Sequence, residues 1–272
     1  MDDSLKEKYE AFTRILKGYG RLAVAYSGGV DSTFLLAVAK EVLGENVTAV
    51  TLSLRSVPEE EKTEAENFCR EYGIKQVFIS INELEIPGFK ENPPNRCYIC
   101  KKAIFKEILK TAEELGISVV AEGTNADDLS DYRPGMQALS ELEIASPLKE
   151  AGFSKAEIRT LSKEMGLPTW DKLSKACLSS RFVYGEIITE EKLRMAENGE
   201  KILMSLGILQ CRVRIHGDNL ARIEVPEDCF AILTEHRTEI VKAFQETGFA
   251  YVSMDLQGFR SGSMNEVLKT RE

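Results

Sequence analysis

Residues 22–33, Leu-Ala-Val-Ala-Tyr-Ser-Gly-Gly-Val-Asp-Ser-Thr, constrain the fold more than any other stretch of the chain. The apolar run 22–26 reads as a strand buried on both faces, the kind found in parallel sheets. It breaks at Ser27-Gly28-Gly29, and apolar helical periodicity follows over 32–43. Two glycines permit a tight turn and close approach of backbone to a ligand. The helix behind them aims unpaired N–H groups and its positive dipole end at an anion. Strand, loop and helix together describe a phosphate cradle. The Gly-Lys-Ser/Thr of a Walker A loop is missing, so transfer of the terminal phosphoryl group is not the indicated chemistry.

The 272 residues accommodate one large α/β domain or two smaller ones. The formal charge of −9 argues against a broad nucleic-acid footprint, which needs a basic face, and leaves room for a local basic pocket. The charged start, Met-Asp-Asp-Ser-Leu-Lys, has no apolar core of a leader peptide, and no apolar run approaches membrane-spanning length. A cytoplasmic location is expected, in which six cysteines serve as thiols or metal ligands rather than disulfides.

Strand-like and helix-like segments alternate through the first half, as in a doubly wound parallel sheet. Strands are expected at 46–54, 76–81 and 119–122, with helices at 59–72 and 100–115. A last strand starting at 146 and a helix capped by Ser154, with Glu157 three residues on, close a domain spanning 1–168. Ligands of open parallel sheets sit beyond the carboxyl ends of the strands. That rule gathers Ser27, Gly28, Gly29, Val30, Asp31 and Ser32 with Ser53 and with Gly123, Thr124 and Asp128. Residues 169–272 read as a smaller α+β domain: a helix from Thr189 to 206, strands at 211–216 and 220–225, a helix at 226–247 and a strand at 250–256.

Cys97-Tyr-Ile-Cys100 stands before a helix, whose dipole favours thiolates. The pair suits a redox couple, zinc or an iron–sulfur cluster. No second Cys-x-x-Cys is present, and two histidines offer few further zinc ligands. Cys177 is the third relevant thiol. Three cysteines leave one iron of a four-iron cluster without a protein ligand; alternatively Cys177 is a small buried apolar residue. Cys69, Cys211 and Cys229 read as core packing. Arg212 and Arg214 share one strand face and suit bidentate binding of phosphate or carboxylate, or else line a solvated face. Ser180 and Arg181 complete such a pocket, or serve as a cap and a surface pair.

Several of these strings converge on one family. Ser27-Gly-Gly-Val-Asp-Ser32 resembles the PP-loop of ATP pyrophosphatases, of the adenine nucleotide alpha hydrolase-like fold. With Asp131-Tyr-Arg-Pro-Gly135, Ser179-Ser-Arg-Phe182, Arg212-Val-Arg214, Ala221-Arg-Ile-Glu224 and Gly258-Phe-Arg-Ser-Gly262, the chain resembles, nearly end to end, the LarE family of ATP-dependent sulfur transferases. The resemblance implies adenylation of the carboxylates of a pyridinium dicarboxylate mononucleotide and their conversion to thiocarboxylates, in making a nickel-pincer nucleotide. It implies that the amides of residues 28–32 hold the β,γ-phosphates of ATP and that Asp31 positions Mg²⁺. Backbone at 51–54 and 123–125 would hold adenosine, while Ser180, Arg181, Arg212, Arg214, Asp128 and Arg133 serve the small-molecule nucleotide substrate. Better-known members sacrifice a cysteine at the position matching Ala176. A second branch, more similar to this chain, places three cysteines around a [4Fe-4S] cluster, which here would be Cys97, Cys100 and Cys177. The family is hexameric, with an acidic metal site between subunits, so a homo-oligomer is implied. Glu200 and Glu224 match two of those metal residues, but Ile232 replaces the aspartate; apart from the resemblance, both glutamates read as surface charges.

Three rivals stand beside this reading. A tRNA-thiolating PP-loop enzyme with a cluster would need a basic surface, which the charge balance opposes. An amidating ligase shares the adenylation step but gives the three cysteines no use. A nucleotide-binding regulatory module with a structural metal would turn over no ATP.

Overall fold

The computed structural model describes residues 3–130, 134–173 and 176–269. The chain divides into two compact units, one of Met1–Ile81 with Cys97–Ser174, the other of Asn82–Arg96 with Lys175–Glu272. The first unit is discontinuous in sequence: the chain leaves it at 82, returns at 97 and passes to the second unit at 175. No described helix is long and apolar enough to cross a membrane.

The first unit is built on β1 (Leu22–Ala25), β2 (Val47–Ser53), β3 (Lys75–Ser80) and β4 (Val120–Ala121), all parallel, in the order β3-β2-β1-β4. Alternation of side chains explains the unbroken apolar run of β1. Leu22 and Val24 enter one core with Phe12, Leu16, Phe34, Phe68 and Phe153, while Ala23 enters another with Val50, Ile104, Ile108 and Val120. The first core is covered by α1 (Asp3–Tyr19), which the sequence reading did not anticipate, and by α2 (Val30–Leu43) and α3 (Glu59–Glu71). Phe12 of α1 joins them by stacking on Phe34 at 5.8 Å and meeting Phe153 edge-on at 5.6 Å.

On the second face lie α4 (Arg96–Glu114) and, after β4, α5 (Pro134–Glu141), whereas α6 (Pro147–Glu150) and α7 (Lys155–Glu164) return to the first, where Leu148, Ile158 and Leu161 join its core. The strand expected from 146 reduces to a single bridge, Ala121 to Ala145, because Pro147 opens a helix instead. Ser154 and Glu157 form the expected capping box at α7.

The second unit has α8 (Glu190–Ser205), β5 (Arg212–His216), β6 (Leu220–Glu224), α9 (Phe230–Glu235), α10 (Arg237–Glu246), β7 (Tyr251–Met254) and α11 (Glu266–Lys269). β5 and β6 are antiparallel, and β6 and β7 parallel, so the helices between the latter form the crossover that parallel pairing requires. The single helix expected over 226–247 is broken at His236. α8 packs closely on β5 at Gly199, where an added Cβ would stand 3.1 Å from Val213.

Candidate active site

The loop from β1 to α2 is made almost wholly of backbone. Gly28 has φ +70°, a conformation costly for any residue with a Cβ. Its bare Cα also rests on α3, since a Cβ there would lie 3.4 Å from that of Ala65. Ser27 and Ser32 hydroxyls meet at 3.0 Å, and Ser32 Oγ donates to Gly29 O at 3.2 Å, closing the loop across its mouth. Gly29 caps α2 with no side-chain hydrogen bond, so the first amides of the helix point outward as an anion site.

Gly123, beyond the end of β4, fits against this loop. A Cβ built on it would come 2.9 Å from Ser32 N and 3.2 Å from the Asp31 carbonyl carbon. The expected convergence of 27–32 with 123–128 on one sheet edge is therefore intimate. Its geometry is fixed by Glu122, a residue the sequence reading passed over. This buried carboxylate accepts from Thr124 N at 3.1 Å, Thr124 Oγ1 at 2.7 Å and Ser146 Oγ at 2.7 Å. Asp128 accepts from Asn125 N at 3.0 Å, so it braces the same turn. Ser53 ends β2 on the same edge of the sheet, half-buried, with its carbonyl accepting from Ile81 N at 3.2 Å. Asp131 and Arg133 lie outside the described residues.

Two lysines also reach the loop, and nothing in the sequence marked them. Lys155, the first residue of α7, donates through Nζ to Asp31 Oδ2, while its backbone N–H donates to Asp127 at 2.8 Å. Lys172 Nζ donates to Gly28 O at 3.0 Å and to Glu64 at 2.7 Å. The other carboxylate oxygen of Asp31 is buried and has no hydrogen-bond partner. An orphaned buried carboxylate oxygen at the rim of a phosphate cradle fits a hard cation such as Mg²⁺.

The second unit assembles a different kind of site. Arg181 is 2% exposed and grips Glu200 with Nε at 2.5 Å and Nη2 at 3.0 Å. Its Nη1 donates to Ser180 Oγ at 2.7 Å. Arg214 donates to Glu224 through Nε and Nη2 at 3.0 and 2.8 Å, to Ser180 O at 3.0 Å and to Ser263 Oγ at 3.0 Å. Glu200 and Glu224, 6% and 0% exposed, are thus not surface charges but the buried counterions of two arginines. Glu224 also takes Arg222 at 3.0 Å and Ser263 Oγ at 2.8 Å. Arg212 sits over the Phe259 ring at 5.1 Å, half-buried, and donates to Cys211 O at 2.7 Å. Burial, then the neighbouring Arg181 guanidinium, pushes the Arg212 pKa below its ordinary value; burial does the same to Arg214. Guanidinium groups thus share a buried neighbourhood in which Glu200 and Glu224 compensate Arg181 and Arg214.

The Cys-x-x-Cys pair lies one turn deeper in α4 than expected. The helix opens at Arg96, placing Cys97 and Cys100 three apart in its first turn, on one face. Cys97 is exposed and Cys100 half-buried, while Cys177 is exposed in the second unit, so it is not the buried apolar residue of the alternative reading. Among the described residues, no three His, Cys, Asp or Glu side chains are gathered as a metal-holding group. Cys69 and Cys211 are core thiols as expected, their pKa values pushed up to about 12 by burial, whereas Cys229 is only half-buried. Arg96 is buried and donates to Asn92 Oδ1 and, at 2.7 Å, to Ser179 O, a tie that no sequence motif announced.

A parallel sheet, a glycine loop with outward amides and a carboxylate at its rim define an ATP-using PP-loop domain, and residues 1–132 match the model of the PP-loop domain. The chain is 38% identical over 266 residues to pyridinium-3,5-bisthiocarboxylic acid mononucleotide synthase of Lactiplantibacillus plantarum, covering 97% of this chain and 96% of that protein. On that relationship it belongs to the LarE family and is an ATP-dependent enzyme. An uncharacterised protein of Synechocystis sp. is 43% identical over 97% of this chain and 99% of its own length. By contrast, a component of the glutamine-hydrolysing GMP synthase of Thermoplasma volcanium is 27% identical over 55% of this chain and 53% of its own.

Proposed function

We propose that the protein is a sulfur transferase that adenylates the carboxylates of a pyridinium dicarboxylate mononucleotide and converts them to thiocarboxylates. What carries this reading is that the likeness to the Lactiplantibacillus synthase extends past the PP-loop domain through the arginine-rich second unit. The glutamine-hydrolysing GMP synthase components match at 25–27% identity and span 55–73% of the chain, short of that extent. In the first step a substrate carboxylate oxygen attacks the α-phosphorus of ATP, the α–β bridging P–O bond breaks, and pyrophosphate leaves. A sulfide-level nucleophile then attacks the acyl carbon, the C–O bond to AMP breaks, and a thiocarboxylate remains.

In this reading the outward amides behind Gly29 bind the β,γ-phosphates. Asp31 is the residue that would hold Mg²⁺, which when bound supplies charge neutralisation for the leaving pyrophosphate. Lys155, now paired with Asp31, provides a cation beside the same phosphates. Gly123 and Thr124 present backbone to the adenosine, and Ser53 borders it. Ser180 and Arg212 bind the anionic groups of the substrate, and Arg214, bonded to Glu224, Ser263 and the Ser180 carbonyl, sets the position of Ser180. Arg181, saturated by Glu200, holds Ser180 in place rather than touching the substrate.

The reading extends to Cys97, Cys100 and Cys177 as ligands of a [4Fe-4S] cluster, which when bound supplies an iron open to a non-protein ligand. The described arrangement does not gather the three thiols, so this part rests on the sequence pattern and no step above depends on it.

Anaerobic incubation with ATP, Mg²⁺, sulfide and the dicarboxylate mononucleotide tests the reaction. AMP and pyrophosphate should appear in equal amounts only with the mononucleotide present, with mass spectrometry showing oxygen replaced by sulfur. AMP formation indifferent to that substrate would overturn the assignment. For the cluster, reconstituted protein should bind about four irons per chain, and each cysteine-to-alanine variant should lose most of them; full retention in all three would remove it.

A further inference from the structure

We propose that Lys172 is a positioning residue of the phosphate loop: its ammonium fixes the Gly28–Gly29 peptide so that the Gly29 N–H faces the anion. The inference rests on the loop holding pyrophosphate groups, and it concerns how that loop keeps its shape. A peptide group is planar, so the carbonyl of Gly28 and the N–H of Gly29 point in opposite directions. Whatever anchors the one aims the other.

Glycine at both positions leaves that plane little intrinsic preference, because neither residue has a Cβ to bias rotation about its backbone. The Gly29 N–H has only a long contact to Ser27 Oγ, at 3.4 Å. The firm hydrogen bond on this peptide comes from the carbonyl side, where Lys172 Nζ donates at 3.0 Å. Lys172 is well placed for that role. Glu64 of α3 holds the same ammonium at 2.7 Å, and the Lys172 side chain is only 18% exposed. Its backbone is pinned as well, since Arg159 of α7 donates to Lys172 O at 2.7 Å and to Trp170 O at 2.6 Å. A chain of contacts thus runs from α7 through the turn at 169–172 to the loop carbonyl, with α3 as a second support.

A lysine beside a phosphate loop has a simpler alternative role, as a direct electrostatic ligand. The two roles predict opposite signs for Glu64→Ala. If Lys172 acts by positioning, loss of Glu64 loosens the ammonium, and affinity for pyrophosphate falls although a negative charge has been removed. If it acts as a direct ligand, loss of Glu64 releases it toward the anion, and affinity rises.

Isothermal titration of the full chain with magnesium pyrophosphate and, separately, with AMP makes the test. Lys172→Met should weaken pyrophosphate binding about tenfold, or about 1.4 kcal/mol, and leave AMP binding unchanged. Lys172→Arg should restore part of the loss, and Glu64→Ala should weaken pyrophosphate binding several-fold. Tighter binding by Glu64→Ala, equal losses for pyrophosphate and AMP, or an unchanged Lys172→Met would each overturn the proposal. Should Lys172→Met not fold, the sign of the exposed Glu64→Ala variant decides alone. Failure of the unaltered chain to bind pyrophosphate would instead remove the reading of the loop itself.

Discussion

The phosphate loop of the first unit and the arginine cluster of the second are the two candidate anion sites, and they are made of different materials. The loop presents backbone amides, and the residues around it act mainly to hold backbone in place: Glu122 behind Thr124, Lys172 on Gly28, Gly123 against Ser32. The cluster presents guanidinium groups, and each buried one is matched to a carboxylate. A site made of amides needs no counterion when empty, because peptide dipoles carry no net charge. A site made of buried arginines does, and Glu200 and Glu224 serve that need. The comparison teaches that the first site is sensitive to shape and the second to charge.

The largest expected effect tests the charge side. Arg181→Ala leaves Glu200 buried without its partner and should lower unfolding free energy by about 3–5 kcal/mol, measured by chemical denaturation. A variant as stable as the parent would show that Glu200 is solvated and that the cluster is not a closed network. Shape is tested by Gly123→Ala, whose Cβ would collide with Ser32 N at 2.9 Å. Forcing a methyl into a packed site costs roughly 1–3 kcal/mol, and ATP affinity should drop at least several-fold while the arginine cluster is untouched. Unaltered ATP binding would separate Gly123 from the cradle.

A third experiment compares the thiols of the two units. At mildly alkaline pH, Cys69 and Cys211, with values near 12, are almost entirely protonated and shielded, so iodoacetamide should modify Cys97 and Cys177 well before either. Early modification of Cys211 would mean that the sheet of the second unit opens readily. The smallest effect concerns His216, held below its ordinary value of 6.5 by burial and then by Arg222. The folded state favours the neutral ring, so this contribution is present above 6.5 and is lost as pH falls below it. Replacing His216 with Phe should reduce the loss of stability between about pH 7 and pH 5 by less than about 1 kcal/mol. An identical acid limb would assign that slope to other groups.

The same contrast explains what could be read from the sequence. Backbone sites write themselves into the chain as glycines at fixed places after an apolar run, so Ser27 to Ser32 and Gly123 were legible, as were the parallel strands between them. The strand and helix order of the second unit was legible too, from alternation and turn residues. Side-chain networks leave no such mark. Glu200 and Glu224 look like any helix or strand carboxylate until Arg181 and Arg214 are seen beside them, and Lys155 and Lys172 are two lysines among many. α1 escaped notice because its strongly polar outer face masks Leu5, Phe12 and Leu16, and because only tertiary packing shows what that stripe covers.

The excursion of residues 82–96 into the second unit bears on how the chain is made. Asn92, buried with φ 51°, donates to Val183 O at 2.7 Å, and its own carbonyl receives Gly185 N at 2.9 Å. Asn92 and Val183 are separated by 91 positions. At translation rates of about 5–20 residues per second, residues 82–96 leave the ribosome roughly 5–20 s before the segment that completes them. During that interval the hydrogen bonds of Asn92 to Val183 and of Arg96 to Ser179 cannot form, and water serves those groups instead. For the same reason, a fragment starting at 169 would lack its own inner lining, and supplying residues 82–96 as a separate peptide should rescue its folding.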